Sequence, residues 1–547
     1  MLSMRLQAGE PETATFRTHA MTYRVLVTDT LAESGLSLIR GASGVELDYR
    51  PGLKGSELLE AVSASDALIT RSGTPITKEL LGAGQRLRVV GRAGVGLDNV
   101  DVDAATERGI LVINAPTANI LSATEHTMAM MLGVCRSLPM AHASVKAGEW
   151  KRSQFMGVEL NGKTLGVIGF GRIGSRVATR ARSFGMRVLA YDPYIASAAA
   201  EKVGAEAVDF ERLLTESEMI TVHTPLTEET RGMISSAEIG RMRNGVVLIN
   251  CARGGIYVEH DLAEALRSGK VSAAAIDVFE QEPPGSDHPL LNAPNVILTP
   301  HIGANTIEAQ DRVAVQTTEM VIEALHGSIF VSAVNLPFEG LADATAAPMI
   351  DLAEKLGLFA AQLIEKPLTR ASIELWGIEE HLTRILSVAA IKGVLTPYMA
   401  DSVNYVNAES LAAARGVQVS STVYPEPVDY TNLITFRAAS DDGEVCISAT
   451  LFSEKIGRIV SVNNFRVEFK AEGHLIYILN RDVPGVVGKV GTILGDRDIN
   501  IAEYNLARAA EGGMALAIVT IDTPLDVETL NFLRSFREMQ DVRQITL

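Results

Sequence analysis

The sequence predicts an α/β protein with parallel sheets up to about residue 330 and α+β structure beyond it. Three observations predict this. From Tyr23 onward short apolar runs alternate with helical patterns, as covered parallel sheets require. The apolar run "TLGVIGF" then leads through three closely spaced glycines into a helix-like stretch. From residue 474 the order is strand, helix, strand, strand, helix, strand, which suits a small ferredoxin-like sandwich. The chain has 547 residues, length enough for several domains with sizeable cores.

The first 20 residues carry Arg5, Glu10, Glu12 and Arg17 and no apolar stretch of a secretory signal; 1–20 read as a disordered extension. "RVLVTD", "ALITRSG", "LRVVGRAG" and "ILVINAP" are the strands of a first block, and Pro116 in "NAPTAN" ends the last of them. One long helix is expected over "SATEHTMAMMLGVCRSL", with Met128, Met130 and Met131 as packing residues rather than metal ligands. The second block contributes "TLGVIGF", "RVLAYD", "MITVHTPL", "VVLINCARG", "AAAIDVF" and "VILTPHIG", several apolar through most of their length, as strands covered on both faces are. A helical stretch over 306–327 returns to the first block. The expected domains are therefore 21–118 with 306–334, then 119–305, a mixed α/β region over 335–472 that opens on a linker ("NLPF", "EGLADATAAP"), and 473–547.

A formal charge of −17 argues against a nucleic-acid binder or a protein of anionic membrane surfaces, both of which need a basic face. A small anionic substrate requires a local basic cluster that overrides this field. Cys135, Cys251 and Cys446 are too few and too scattered for a disulfide framework or a zinc site, and no metal is expected. Free thiols fit a reducing, cytoplasmic setting. No apolar run approaches the roughly 18 residues of a membrane span.

Gly169, Gly171 and Gly174 in "GFGRIG" have dinucleotide-fingerprint spacing, with a strand before and a helix after. The first glycine permits the tight turn, the second lets a pyrophosphate approach, and the third allows close helix–strand packing. The helix N-terminus offers free N–H groups to the anion. Asp192 in "LAYDPY" follows Gly174 by 18 residues, at the end of the next strand. A carboxylate there accepts from ribose hydroxyls and repels a 2′-phosphate, so NAD is favoured over NADP.

Arg253 in "NCARGG", Glu282 in "DVFEQEP" and His301 in "TPHIGA" stand near the ends of later strands, where open α/β sheets hold ligands. Taken singly, each has an ordinary explanation as a surface charge or a satisfied core residue. Together, after an NAD fingerprint, they suit hydride transfer from a 2-hydroxy acid. Arginine holds the carboxylate and polarises the C2 oxygen. Histidine takes the hydroxyl proton, and a neighbouring carboxylate fixes its tautomer.

"GFGRIG", "YDPY", "VHTPLTEETRGMI", "NCARGGIYVEHDLAEAL", "AAIDVFEQEPP" and "TPHIGANTIEAQ" resemble the D-isomer-specific 2-hydroxyacid dehydrogenases, and across roughly 22–330 the phosphoglycerate-oxidising members of that family. The resemblance implies a Rossmann-type nucleotide domain inserted in a flavodoxin-like substrate domain, followed by two α+β regulatory domains. It makes Arg253, Glu282 and His301 the catalytic set. It adds cofactor contacts at Arg172, Ile173, Thr224, Cys251, Arg253, Asp277 and Gly303, with His301 at the nicotinamide end and Val95 across the cleft. Cys251 reads as a wall of that cleft, since hydride transfer needs no covalent intermediate. For the phosphate of 3-phosphoglycerate it points to Arg71 and Ser72 in "ITRSG" and Arg92 in "VGRAGVG", with Arg152 in "EWKRSQF" a weaker third.

The tail from 474 resembles an ACT domain, a small-molecule sensor, through "NRDVPGVVGKVG", and "VNAESLAAARGV" resembles the intervening domain of long-form relatives. By position, Asn480, Asp482 and Asn500 are candidate L-serine ligands, although Asn480 stands where other members carry histidine or tyrosine. Both C-terminal regions have the alternative of serving assembly alone. A homodimer or homotetramer is expected. Two other functions stay open at this level: a glyoxylate or hydroxypyruvate reductase, and a dinucleotide-sensing binding protein on the same fold.

Overall fold

The computed structural model describes residues 22–194, 197–327, 333–338, 346–399, 403–441, 443–453, 455–510 and 512–547. The N-terminal extension expected over 1–20 and much of the expected linker lie outside these residues.

The first sheet is parallel and five-stranded. Its order is Val45–Tyr49, Tyr23–Val27, Ala67–Thr70, Val89–Arg92, Leu111–Asn114, or 2-1-3-4-5, the flavodoxin-like arrangement. The long helix Ile307–Leu325 packs on it, and small residues let it come close. A methyl group on Gly91, inside the fourth strand, would lie 2.6 Å from Val321 and 2.9 Å from Thr317.

The second sheet is parallel and seven-stranded. Counting from Thr164–Ile168, its order is 3-2-1-4-5-6-7, a Rossmann arrangement with one added strand. The reversal of order beside Thr164–Ile168 opens the crevice where ligands of such sheets sit. Helix Ile120–Cys135 carries the chain from the first sheet to the second, and Met128, Met130 and Met131 on it are buried in the second sheet's core. That helix is shorter than the sequence suggests. It ends at Cys135, Ser137 turns left-handed at φ +46°, and a separate helix Leu138–Lys146 begins with Pro139 in its first turn.

A six-stranded sheet follows, antiparallel except where edge strand Gln418–Tyr424 runs parallel to Leu368–Trp376. The last sheet is four-stranded and antiparallel, in the order Ile501–Arg508, Met514–Ile521, His474–Arg481, Met539–Thr546. The two share a core, in which Phe359, Phe436 and Phe469 meet Leu475, Leu516 and Ile545. Among the described residues no helix is long and apolar enough to cross a membrane.

Candidate active site

Strand Thr164–Ile168 is buried throughout and delivers the glycine turn to the crevice. Gly169 sits at φ +85°, where a side chain would strain the backbone and strike the His223 carbonyl at 2.7 Å. A methyl on Gly174 would lie 2.1 Å from the Gly169 carbonyl oxygen, so only glycine lets helix Gly174–Ser183 start this close to its strand. Gly171 faces open space, with nothing within 4 Å of its absent Cβ. That gap, at a helix N-terminus, is where a pyrophosphate fits. Asp192 borders it: its Oδ2 accepts from the Phe170 N–H at 2.8 Å and its Oδ1 from the Tyr194 N–H at 2.9 Å. The Thr224 hydroxyl is buried beside the turn and has no hydrogen-bond partner among the described residues, as a group waiting for a ligand would be.

Two of the three strand-end residues, His301 and Glu282, meet directly. His301 Nδ1 lies 2.8 Å from Glu282 Oε2, and Glu282 Oε1 accepts from the Phe279 N–H at 3.1 Å. Burial works to raise the Glu282 carboxyl, but the bonds from His301 and from the Phe279 amide outweigh it and hold the group below its ordinary range. His301 is left-handed at φ +52°, an uncommon conformation for a residue with a Cβ, and its N–H donates to the Asp277 carbonyl at 2.8 Å. Arg253 is fixed by its own turn. Asn250 Nδ2 donates to the Arg253 carbonyl at 2.8 Å, and Arg253 Nη1 donates to the Ala252 carbonyl at 2.7 Å.

Arg253 faces residues of the first sheet. Its Nε lies 3.8 Å from Asp98 Oδ2, beyond a Gly-rich loop in which a methyl on Gly96 would meet both side chains. Arg92 folds over Gly94, and its Nε is buried without a hydrogen-bond partner among the described residues. Burial first, and then repulsion from Arg253 and Arg71 set partly against Asp98 and Asp29, pushes the Arg92 guanidinium below its ordinary value. Arg71 is held by its backbone, its N–H donating to Asp29 Oδ2 at 2.6 Å and its carbonyl accepting from Asn99 Nδ2 at 2.7 Å. Arg71 and Arg253 thus both bear on the Arg92 guanidinium, a local basic cluster of the kind that an anion needs in a chain of net charge −17. Ser72 is exposed next to Arg71. Val95 lines the same loop, its carbonyl held by Asn114 Nδ2 at 2.6 Å. Arg152 stands exposed on the turn Arg152–Gln154 and enters none of the contacts that join the other three arginines.

Cys251 lies under the cleft, where burial and the Asp277 charge push its thiol up to about 12. A thiol shifted in this direction stays protonated near neutral pH. Arg172 is exposed just past the second glycine, and Ile173 is the N-cap of the following helix. Asp277 is fully buried and accepts from the Ile302 and Gly303 amides, each at 2.9 Å. Two residues that sequence reasoning missed belong here. Asp98 reaches Arg253 from the opposite sheet, and His126 Nε2 lies 3.2 Å from Asp277 Oδ1. Neither stands at a strand end or in a spaced motif.

The three candidate effector residues are engaged locally, and no contact joins them. Asn480 is buried, donating to the Arg481 carbonyl at 2.7 Å while its Oδ1 is left unpartnered. Asp482 pairs with Arg508 at 3.3 Å, and Asn500 donates to Asp522 at 2.9 Å. Among the described residues no group of three or more His, Cys, Asp or Glu is placed to hold a metal ion.

Comparison with known proteins gives the following. Residues 128–303 match the model of the D-isomer specific 2-hydroxyacid dehydrogenase NAD binding domain, and 345–463 match that of the D-3-phosphoglycerate dehydrogenase intervening domain. The chain is 40% identical to D-3-phosphoglycerate dehydrogenase of Bacillus subtilis over 96% of its own length and 100% of that protein. It is 38% identical to the enzyme of that name from Archaeoglobus fulgidus, with the same coverage. Among solved structures it is similar to D-lactate dehydrogenase from Aquifex aeolicus, complexed with NAD and lactic acid. That match has 32% identity and a TM-score of 0.50, over 55% of this chain and 96% of the other.

Proposed function

The chain belongs to the D-3-phosphoglycerate dehydrogenase family, within the D-isomer-specific 2-hydroxyacid dehydrogenases, and from that premise we propose how its residues oxidise D-3-phosphoglycerate to 3-phosphohydroxypyruvate. It is an NAD-dependent oxidoreductase. NAD, when bound, would supply the hydride acceptor for C2. Gly169, Gly171 and Gly174 would seat its pyrophosphate, Asp192 would take the ribose hydroxyls, and Arg172, Ile173, Thr224, Cys251, Asp277 and Gly303 would line the rest of its path.

His301 takes the C2 hydroxyl proton. Its Nδ1 is engaged by Glu282, which leaves Nε2 for the substrate. Glu282 stabilises the imidazolium as it forms. Arg253 holds the substrate carboxylate and the C2 oxygen, and Arg71 and Arg92 hold the phosphate. The Arg92 guanidinium, buried at its Nε and within the fields of both Arg71 and Arg253, is the observation that carries the phosphorylated substrate. Arg71→Ala and Arg92→Ala should each raise KM for D-3-phosphoglycerate at least about tenfold, one charge-assisted contact's worth. An unchanged KM in both variants would remove the phosphate assignment.

Residues 21–118 with 306–334 then form the substrate domain and 119–305 the NAD domain, followed by the intervening domain 335–472 and an ACT domain over 473–547. L-Serine bound near Asn480, Asp482 and Asn500 is the proposed feedback signal. The unpartnered Asn480 Oδ1 supports it, and the Asp482–Arg508 pair would have to open for it. The exposed apolar run Leu138, Val145, Trp150, Met156 and Val158 supports a homodimer or homotetramer, and three free thiols support a cytoplasmic setting. A glyoxylate or hydroxypyruvate reductase, or a dinucleotide-sensing binding protein, is not favoured. The relatives matched along their full length carry the phosphoglycerate name.

A further inference from the structure

We infer that His126 is a positioning residue for proton transfer, holding the His301 loop in place through Asp277. The inference rests on the reading of His301 as the base. Helix Ile120–Cys135 carries the chain from the first sheet to the second, and the segment from His301 into helix Ile307–Leu325 carries it back. The two crossings touch beside the His301 loop. Ser122 Oγ donates to the Gly303 carbonyl at 2.8 Å, and His126 Nε2 lies 3.2 Å from Asp277 Oδ1 and 3.4 Å from the Thr299 hydroxyl.

Asp277 is the middle of this clamp. Its carboxylate accepts from the Ile302 and Gly303 amides, and its carbonyl accepts from the His301 amide. It therefore fixes three successive residues, of which His301 is held at φ +52°. A loop in that conformation persists only when its surroundings over-determine it. A fully buried carboxylate keeps one rotamer only while its oxygens stay satisfied; the Thr299 hydroxyl donates to Asp277 Oδ1 at 2.5 Å, and His126 Nε2, 3.2 Å from the same oxygen, adds the contact that comes from the opposite crossing. A ring carbon of His126 also lies 3.8 Å from the Cβ position of Gly303, so the ring packs on the loop it steadies. Because the clamp spans both crossings, it ties the placement of the proton acceptor to the relative position of the two sheets. His126 does not face the reacting atoms; it acts through Asp277.

The test compares wild type with His126→Leu, which keeps bulk and removes the N–H, and His126→Gln, whose amide nitrogen can replace it. His126→Asn, too short to reach Asp277, serves if the leucine variant fails to fold. Two readouts are taken: hydrogen exchange of the Ile302 and Gly303 amides, and steady-state turnover of D-3-phosphoglycerate with its C2-deuterium isotope effect. His126→Leu should exchange both amides faster and lose kcat by up to about 100-fold, the cost of a small misplacement. KM for NAD and for substrate should stay near the wild-type values while the isotope effect rises. His126→Gln should restore protection and most of kcat. Unchanged protection in the leucine variant, a loss confined to KM for NAD, or no rescue by glutamine would each overturn the inference. If wild type itself fails to turn over D-3-phosphoglycerate, the proposed function falls, and amide exchange still decides the role of His126.

Discussion

The Glu282 carboxylate works under two opposing pressures, burial that favours its neutral form and hydrogen bonds from His301 and the Phe279 amide that favour its charged form. The bonds prevail, so the histidine faces an anion while it gains its proton. His301→Asn should lower kcat by about 10²–10⁴ with NAD affinity unchanged, read by stopped-flow turnover and by calorimetric titration of the cofactor. Glu282→Gln, which keeps a partner on Nδ1 and removes the charge, should cost less. A second titration is separate from catalysis. Burial pushes the His223 imidazole from 6.5 down to about 4. Below pH 6.5 the unfolded chain takes up a proton that the folded chain refuses until about pH 4. Stability from this group is therefore full above that window and is lost as pH falls through it. In thermal melts from pH 7 to pH 4, His223→Gln should show a shallower decline of Tm than wild type. At this scale Arg253, Glu282 and His301 were legible because each closes a strand within a short run of sequence. Asp98 was not, because its partner Arg253 lies across the interface between two sheets, and His126 was not, because its partner Asp277 stands far along the chain on another element.

Elements place these groups. The glycine turn separates two roles that spacing alone does not distinguish. Gly174 is structural, with a methyl 2.1 Å from the Gly169 oxygen, whereas Gly171 borders open space. Gly171→Ala should leave stability within about 0.5 kcal/mol in a denaturant titration. The same change should weaken NAD at least about tenfold by fluorescence quenching. Gly174→Ala should lower both. The buried strands were legible from their apolar runs. Edge strands Val45–Tyr49 and Glu206–Ala207 were not, since one mixes charges with apolar residues and the other is two residues long and exposed. The break between helices Ile120–Cys135 and Leu138–Lys146 was also hidden. It rests on the left-handed Ser137, which no glycine marked.

The whole molecule joins two parallel sheets, which form the cleft, to two further sheets built on one shared core. An effector bound at the last sheet, as proposed, would act on this continuous packed body. If the proposed feedback holds, L-serine should slow NADH production by wild type, and Asp482→Ala should blunt that inhibition without lowering the uninhibited rate. The substrate remains the central claim, and it depends on cations from the first sheet meeting Arg253 from the second. The most direct measurement is the initial rate of NADH formation from NAD with D-3-phosphoglycerate, set beside the unphosphorylated D-glycerate. The account predicts NADH with the phosphorylated acid and far less without the phosphate. No NADH from D-3-phosphoglycerate, or equal turnover of the two acids, would contradict it.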